Sequence, residues 1–116
     1  MYSYTATIGR NQAQTLIVDG QDRKLAPVPM SLTLWEQFIE DVRADMLHAV
    51  PSDLAEIHRG TGTWDGVEEE SAKITLLRHS KATDDMLDEL RHFLSENARQ
   101  YGQDAIALTI GQSELC

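Results

Sequence analysis

An α+β sandwich, two helices laid over one face of a four-stranded antiparallel sheet, is predicted by three observations. Two segments carry apolar residues at helical spacing, each behind a capping residue. Four segments alternate apolar and polar residues with the period of a strand, or nearly so. The two kinds follow one another as strand, helix, strand, strand, helix, strand, the order of a split βαβ, ferredoxin-like domain.

Residues 2–9, YSYTATIG, set Tyr2, Tyr4, Ala6 and Ile8 against Ser3, Thr5 and Thr7, and Gly9 ends this strand. Residues 10–30 read as an irregular insertion. TLIVDG at 15–20 offers a short edge strand, Asp19-Gly20 signals a turn, and Pro27 and Pro29 hold the chain extended up to Met30. The first helix opens at Ser31 or at Thr33, the latter at capping-box spacing from Glu36. Trp35, Phe38, Ile39, Val42 and Met46 form its buried stripe, and Pro51 closes the segment. Residues 54–64, LAEIHRGTGTW, and 71–79, SAKITLLRH, read as two strands joined by a hairpin turning at Asp65-Gly66. Thr83 caps the second helix, with Asp84 and Asp85 in its first turn, where carboxylates favour the positive end of the helix dipole. Met86, Leu90, Phe93, Leu94, Ala98 and Tyr101 are its stripe, and Gly102 terminates it. DAIALTI at 104–110 is the last strand, with Ile106, Leu108 and Ile110 on one face and Ala105, Ala107 and Thr109 on the other.

The 116 residues suit a single domain, and 41% hydrophobic with 25% charged residues is a globular composition. No apolar run approaches the ~20 residues of a membrane span, and MYSYTATIGR has no leader pattern, so a cytoplasmic protein is expected. Cys116 is the only cysteine, which leaves no disulfide within the chain and no cysteine zinc site. The net charge of −9 opposes direct contact with nucleic-acid phosphates. It fits instead an acidic surface that engages a basic protein, with Glu36, Glu40 and Asp41 on the outer face of the first helix as the contact.

Chemistry has few places to reside. Glu68, Glu69 and Glu70 are consecutive, so an extended chain points them to alternate faces and they cannot converge on one ion; they read as solvated hairpin residues. None of His48, His58, His79 and His92 lies in a zinc-binding spacing, and no metal or cofactor is expected. GTGTWDG lacks the helix and the GKS or GKT of a phosphate loop, and its glycines mark a flexible or bulged strand. Ser113 has no elbow motif around it, and no nucleophile stands beside an evident base, so no catalytic residue is assigned. The one constellation that combines acid, base and anion-binding groups is His58 and His79, approaching across the central hairpin with Arg59 and Arg78 beside them and Glu70 nearby. Trp64 is either a packing residue or an aromatic platform for a ligand.

YTATIGRN at the start, MS…W…F at 30–38, GTGTWDG…E.SAKITLL at 60–77 and YGQDAIALTI at 101–110 give the chain an ordered set of short motifs. In these it resembles domain of unknown function 3574, a family of small actinobacterial and actinobacteriophage proteins. The matching positions are Gly9, Arg10, Trp35, Phe38, Gly62, Trp64, Glu69, Ser71, Lys73, Gly102 and Gln103, and the likeness spans most of the chain except 10–29. The resemblance implies the ferredoxin-like fold and carries no catalytic residue. It makes Glu69, Ser71 and Lys73 the first place to look for a ligand.

Two functions follow as expectations. The first is a non-enzymatic interaction protein, phage-encoded and acting on a host protein, homodimeric through the small residues of its uncovered sheet face. The alternative is a ferredoxin-like dimer that binds a small molecule or nucleotide on the sheet, with His58, Arg59, Trp64, Arg78 and His79 around the pocket.

Overall fold

The N-terminal alternation folds as β1, Tyr2–Gly9, with Tyr4, Ala6 and Ile8 buried and Ser3, Thr5 and Thr7 on the opposite face. The computed structural model describes residues 1–64 and 66–112. Two strands, β2 (Asn11–Val18) and β3 (Gln21–Pro29), come next, followed by α1 (Leu32–Ala49). Then come β4 (Leu54–Trp64), β5 (Val67–Arg78), α2 (Asp84–Gln100) and β6 (Ala107–Gln112). The main sheet has the order β4-β5-β1-β6 with every pair antiparallel, and this is the ferredoxin-like sandwich with both helices on one face.

The register explains why the alternation is so regular. Tyr4, Ala6 and Ile8 lie opposite Leu76, Ile74 and Ala72, so each buried residue of β1 meets a buried residue of β5. A slip of β1 by one residue would turn Tyr4, Ala6 and Ile8 toward solvent. Trp35, Phe38, Ile39, Val42 and Met46 of α1 close over this layer as their spacing predicts. Phe38 sits between two aromatics, edge-on to Trp35 at 6.1 Å and stacked on Tyr101 at 4.4 Å between ring centroids. The Tyr4 hydroxyl accepts from the buried Ala82 N–H at 2.8 Å and fixes the entry to α2. Tyr4→Phe strands that N–H without a partner, and about 1–3 kcal/mol of unfolding free energy is expected to be lost in chemical denaturation.

The helix ends refine the sequence expectations. Ser31, not Thr33, caps α1 by accepting from the Leu34 N–H at 3.2 Å, and Thr33 lies within the first turn. Thr83 caps α2 by accepting from the Met86 N–H at 3.2 Å, as expected. Leu87 and Asn97 join the buried side of α2, whereas Met86 and Phe93 are only partly covered. Asn97 was not legible as a core residue because its burial depends on partners in space: its amide donates to Asp45 on α1 at 2.8 Å and to the Phe93 carbonyl at 2.9 Å. Gly102, with φ +67°, ends α2. The N–H groups of Gly102 and Gln103 return to the carbonyls of Arg99 and Ala98, a Schellman turn.

Residues 11–29 are regular, contrary to the sequence reading. They form a two-stranded arm, β2–β3, separate from the main sheet and turning at Asp19-Gly20, where both residues have positive φ (51° and 75°). Most of its side chains are exposed, so no core imposes a period on its sequence. Its base is fastened on two sides. Arg10 donates from Nε to the Met30 carbonyl at 2.8 Å and from Nη1 to Glu70 at 3.0 Å. On the other side the Ala13 N–H reaches the Gly102 carbonyl at 3.0 Å, and the Gln103 amide reaches the Asn11 carbonyl at 2.8 Å. No helix among the described residues is long and apolar enough to cross a membrane.

Candidate functional site

The face of the sheet turned away from the helices gathers part of the predicted ligand-binding set. The pairing of β1, β5 and β4 puts Thr7, Lys73 and His58 in one row across three strands, and Gly9, Ser71 and Gly60 in the next. Beyond these, Glu69 lies opposite Gly62. Pairing runs without a register shift from Leu54 to Trp64, so the expected bulge in GTGTW is absent. The glycines serve differently: Gly60 beside Ser71 leaves a patch of nearly bare backbone, where a Cβ would meet nothing within 4 Å, while Gly9 on the other side of Ser71 lies under the Glu69 carboxylate. A cation and an imidazole border the patch on one side and a carboxylate on the other. Rows two residues apart along a strand are about 6.7 Å apart, so the patch has the width of a flat heterocycle.

Glu69 is held in place. Its Oε2 accepts from the Asn11 N–H at 3.0 Å, at the root of the arm. A Cβ on Gly9 would stand 2.6 Å from both carboxylate oxygens, so only glycine lets this carboxylate lie against β1. Gly9 and Glu69 are therefore in contact, and Arg10 beside them bonds Glu70 and the Met30 carbonyl. The reading of all three glutamates as solvated is corrected for Glu69, which is half-buried; Glu68 and Glu70 are exposed, Glu70 in an ion pair with Arg10. A cleft of about 420 Å³ opens beside them, lined by Arg10, Asn11, Pro27, Pro29 and residues 67–70.

The rest of the predicted constellation is dispersed. His58 lies opposite Lys73, and Lys73 and His79 are six positions apart along β5 and its end, about 20 Å of extended chain. His58 and His79 therefore do not meet. His58 contacts Glu56 instead, Nε2 to Oε2 at 2.9 Å, and the His79 N–H donates to Asp53 at 3.0 Å. Arg59 lies on the helix side and is paired with Glu36. Its hydrogen bonds hold the Glu36 carboxyl below the usual carboxylate value. Arg78 donates to the carbonyls of Pro51 and Ser80 at 3.0 and 2.8 Å and closes the loops at that end of the sheet. Alternation places Arg59 on the face opposite His58, which the periodicity of LAEIHRG already contained. Whether the Trp64 ring packs or forms an aromatic platform, the Asp65 half of the turn, and the readings of Ser113 and Cys116 lie outside the described residues.

The acidic face of α1 is also occupied. Glu36 is bound by Arg59, Glu40 by Arg43, and Asp41 accepts from the Tyr101 hydroxyl. Burial, then the bond to Asp41, pushes the Tyr101 hydroxyl up to about 12 from 10.0. A folded-state value above the unfolded one adds stability below pH 10, which is lost as pH rises toward 12. Denaturation measured across that window is expected to show declining stability, and Tyr101→Phe to flatten the decline.

A second groove, about 600 Å³, runs between α2 and β6, with Leu94, Ala98, Ile106 and Leu108 as its apolar lining and Asp104 among its polar residues. No protein-family model and no curated protein sequence matches the chain. Among solved structures its fold is similar to that of a phage SAM lyase in complex with S-methyl-5′-thioadenosine, at 18% identity and a TM-score of 0.52, over 96% of this chain and 80% of that one. A phage SAM lyase in its apo state is similar to the same degree, at 18% identity and a TM-score of 0.52, over 95% of this chain and 78% of the other. At this identity the likeness is one of fold.

Proposed function

We propose that the chain is a small-molecule-binding protein whose ligand is an adenosine carrying sulfur at its 5′ position, a thioether or a sulfonium. The observation that carries this reading is the likeness in fold, along nearly the whole chain, to a phage lyase solved with S-methyl-5′-thioadenosine. The sheet face supports it chemically. A purine ring lies over Gly60 and Ser71, and the Glu69 carboxylate at its edge, seated on Gly9 and oriented by the Asn11 N–H, accepts from ribose hydroxyls. Lys73 and His58 on the other border face any carboxylate of the ligand. Net charge narrows the class: at −9 the protein repels the phosphates of a nucleotide and attracts a sulfonium cation. In a phage setting such a protein sequesters its ligand or consumes it.

Titration calorimetry with S-methyl-5′-thioadenosine, S-adenosylmethionine and ATP tests the reading. Heat of binding is expected with one or both of the first two and none with ATP. Binding of none of them would sink the proposal, and release of S-methyl-5′-thioadenosine from S-adenosylmethionine would extend it to catalysis.

A further inference from the structure

The arm β2–β3 has an apolar face that none of the described residues covers. Directly paired residues of a hairpin share a face, so the pairs Gln12–Val28, Gln14–Leu25, Leu16–Arg23 and Val18–Gln21 place Val28, Leu25, Leu16 and Val18 together. Leu25 and Val28 are an odd number of residues apart and share the face only because the register shifts between Gln12 and Gln14. Three residues of β3 there oppose two steps of β2, and Pro27, which has no N–H to give, sits in the surplus. The bulge thus gathers Leu16, Val18, Leu25 and Val28 on one side, with Ile17 on the other. Leu16, Leu25 and Val28 are nonetheless 45–49% exposed. A two-stranded hairpin with one apolar face is at best marginally stable in water until a third layer covers it.

We propose that the cover is a second copy of this chain, with the arm of one copy seated in the α2–β6 groove of another. Two complementarities select this occupant. The groove offers the apolar lining of Leu94, Ala98, Ile106 and Leu108 that the arm's apolar face needs. The charges also match. Arg23 is the one charged residue on the arm's apolar face, and neither it nor Asp104 in the groove makes an ion pair among the described residues. The groove's own cations are already matched, Arg91 by Asp88 and Arg99 by Glu96. Each copy carries −9, so association at any other acidic surface is opposed. The arm, with Asp19 and Asp22 against Arg23 and Lys24, is neutral and is the element fitted to cross that barrier. Continuity adds to this: the same 101–103 turn that fastens the arm's base leads directly into the groove's Asp104.

The test is sedimentation and light scattering of the ligand-free protein over a range of concentrations. The wild type is expected to associate. Leu16→Asp, Arg23→Asp and Asp104→Arg each change an exposed side chain, leave the circular dichroism spectrum intact, and are expected to weaken association roughly tenfold or more. The double variant Arg23→Asp with Asp104→Arg restores it. A wild type that stays a single chain at every concentration overturns the proposal, as does an assembly indifferent to Leu16→Asp. Failure of the charge-swapped pair to recover overturns the groove as the seat of the arm.

Discussion

Phe38→Ala is expected to remove about 3–5 kcal/mol of folding stability, the range for deleting a fully buried aromatic. A domain of this size has about 5–15 kcal/mol in total, so the variant lies close to the unfolding threshold. The reason is specific to the site. Phe38 has no exposed surface and packs at once on Trp35 of its own helix and on Tyr101 at the end of α2. Truncation leaves a cavity that neither ring can fill without moving a helix. Tyr101 is further constrained by its hydroxyl bond to Asp41, so it cannot slide inward. The check is urea denaturation of Phe38→Ala beside Phe38→Leu. The leucine variant keeps most of the volume and is expected to lose roughly half as much or less. Equal losses in the two would mean that ring stacking, not volume, governs the site.

Gly60→Val is expected to abolish binding of the proposed ligand while leaving the fold intact. A Cβ at Gly60 would meet nothing within 4 Å, so the substitution creates no clash, and valine suits a strand better than glycine. The new side chain stands on the bare patch beside Ser71, where a flat ring would lie. In thermal denaturation the unliganded variant should melt at or slightly above the wild-type temperature. Stabilisation by S-methyl-5′-thioadenosine, about 2.7 kcal/mol at a hundredfold excess over its dissociation constant, should vanish. A variant that still binds would move the ligand away from this face, with the cleft beside Arg10 and Glu70 as the alternative. A variant that fails to fold would instead show that Gly60 is structural, against the open space at its Cβ.

How much of this was legible in the sequence depends on what was buried. The alternation of β1 and the stripe of α1 were readable because each contacts a core that penalises any other pattern. The arm is the opposite case. Leu16 and Leu25 are about half exposed, with no core among the described residues to cover them, and the bulge at Ala26-Pro27 breaks the period in β3. Only its turn, Asp19-Gly20, was encoded locally enough to be read. The site divides in the same way. His58, Ser71, Lys73 and Glu69 fall on one face by simple alternation, whereas Arg59, Arg78 and His79 could have been excluded by counting faces and lengths. The contact of Glu69 with Gly9 lies outside any local pattern, because it joins residues 60 positions apart through a glycine whose sole role is to leave room. The occupied acids of α1 were hidden for a related reason: the Arg59 that neutralises Glu36 is 23 residues away, on a different element.

The fastening of the arm also sets an order of events during synthesis. Gln12 and Asn11 are tied to Tyr101 and Gln103 across sequence separations of 89 and 92 residues. Residues 11–29 leave the ribosome early, but half of their anchorage does not exist until the second helix has been made and ended. Loop closure over such a span is slow compared with forming a local hairpin. The first irregular-looking segment to emerge is therefore among the last to be secured, and during that interval its apolar side chains stand free beside those of every neighbouring nascent copy.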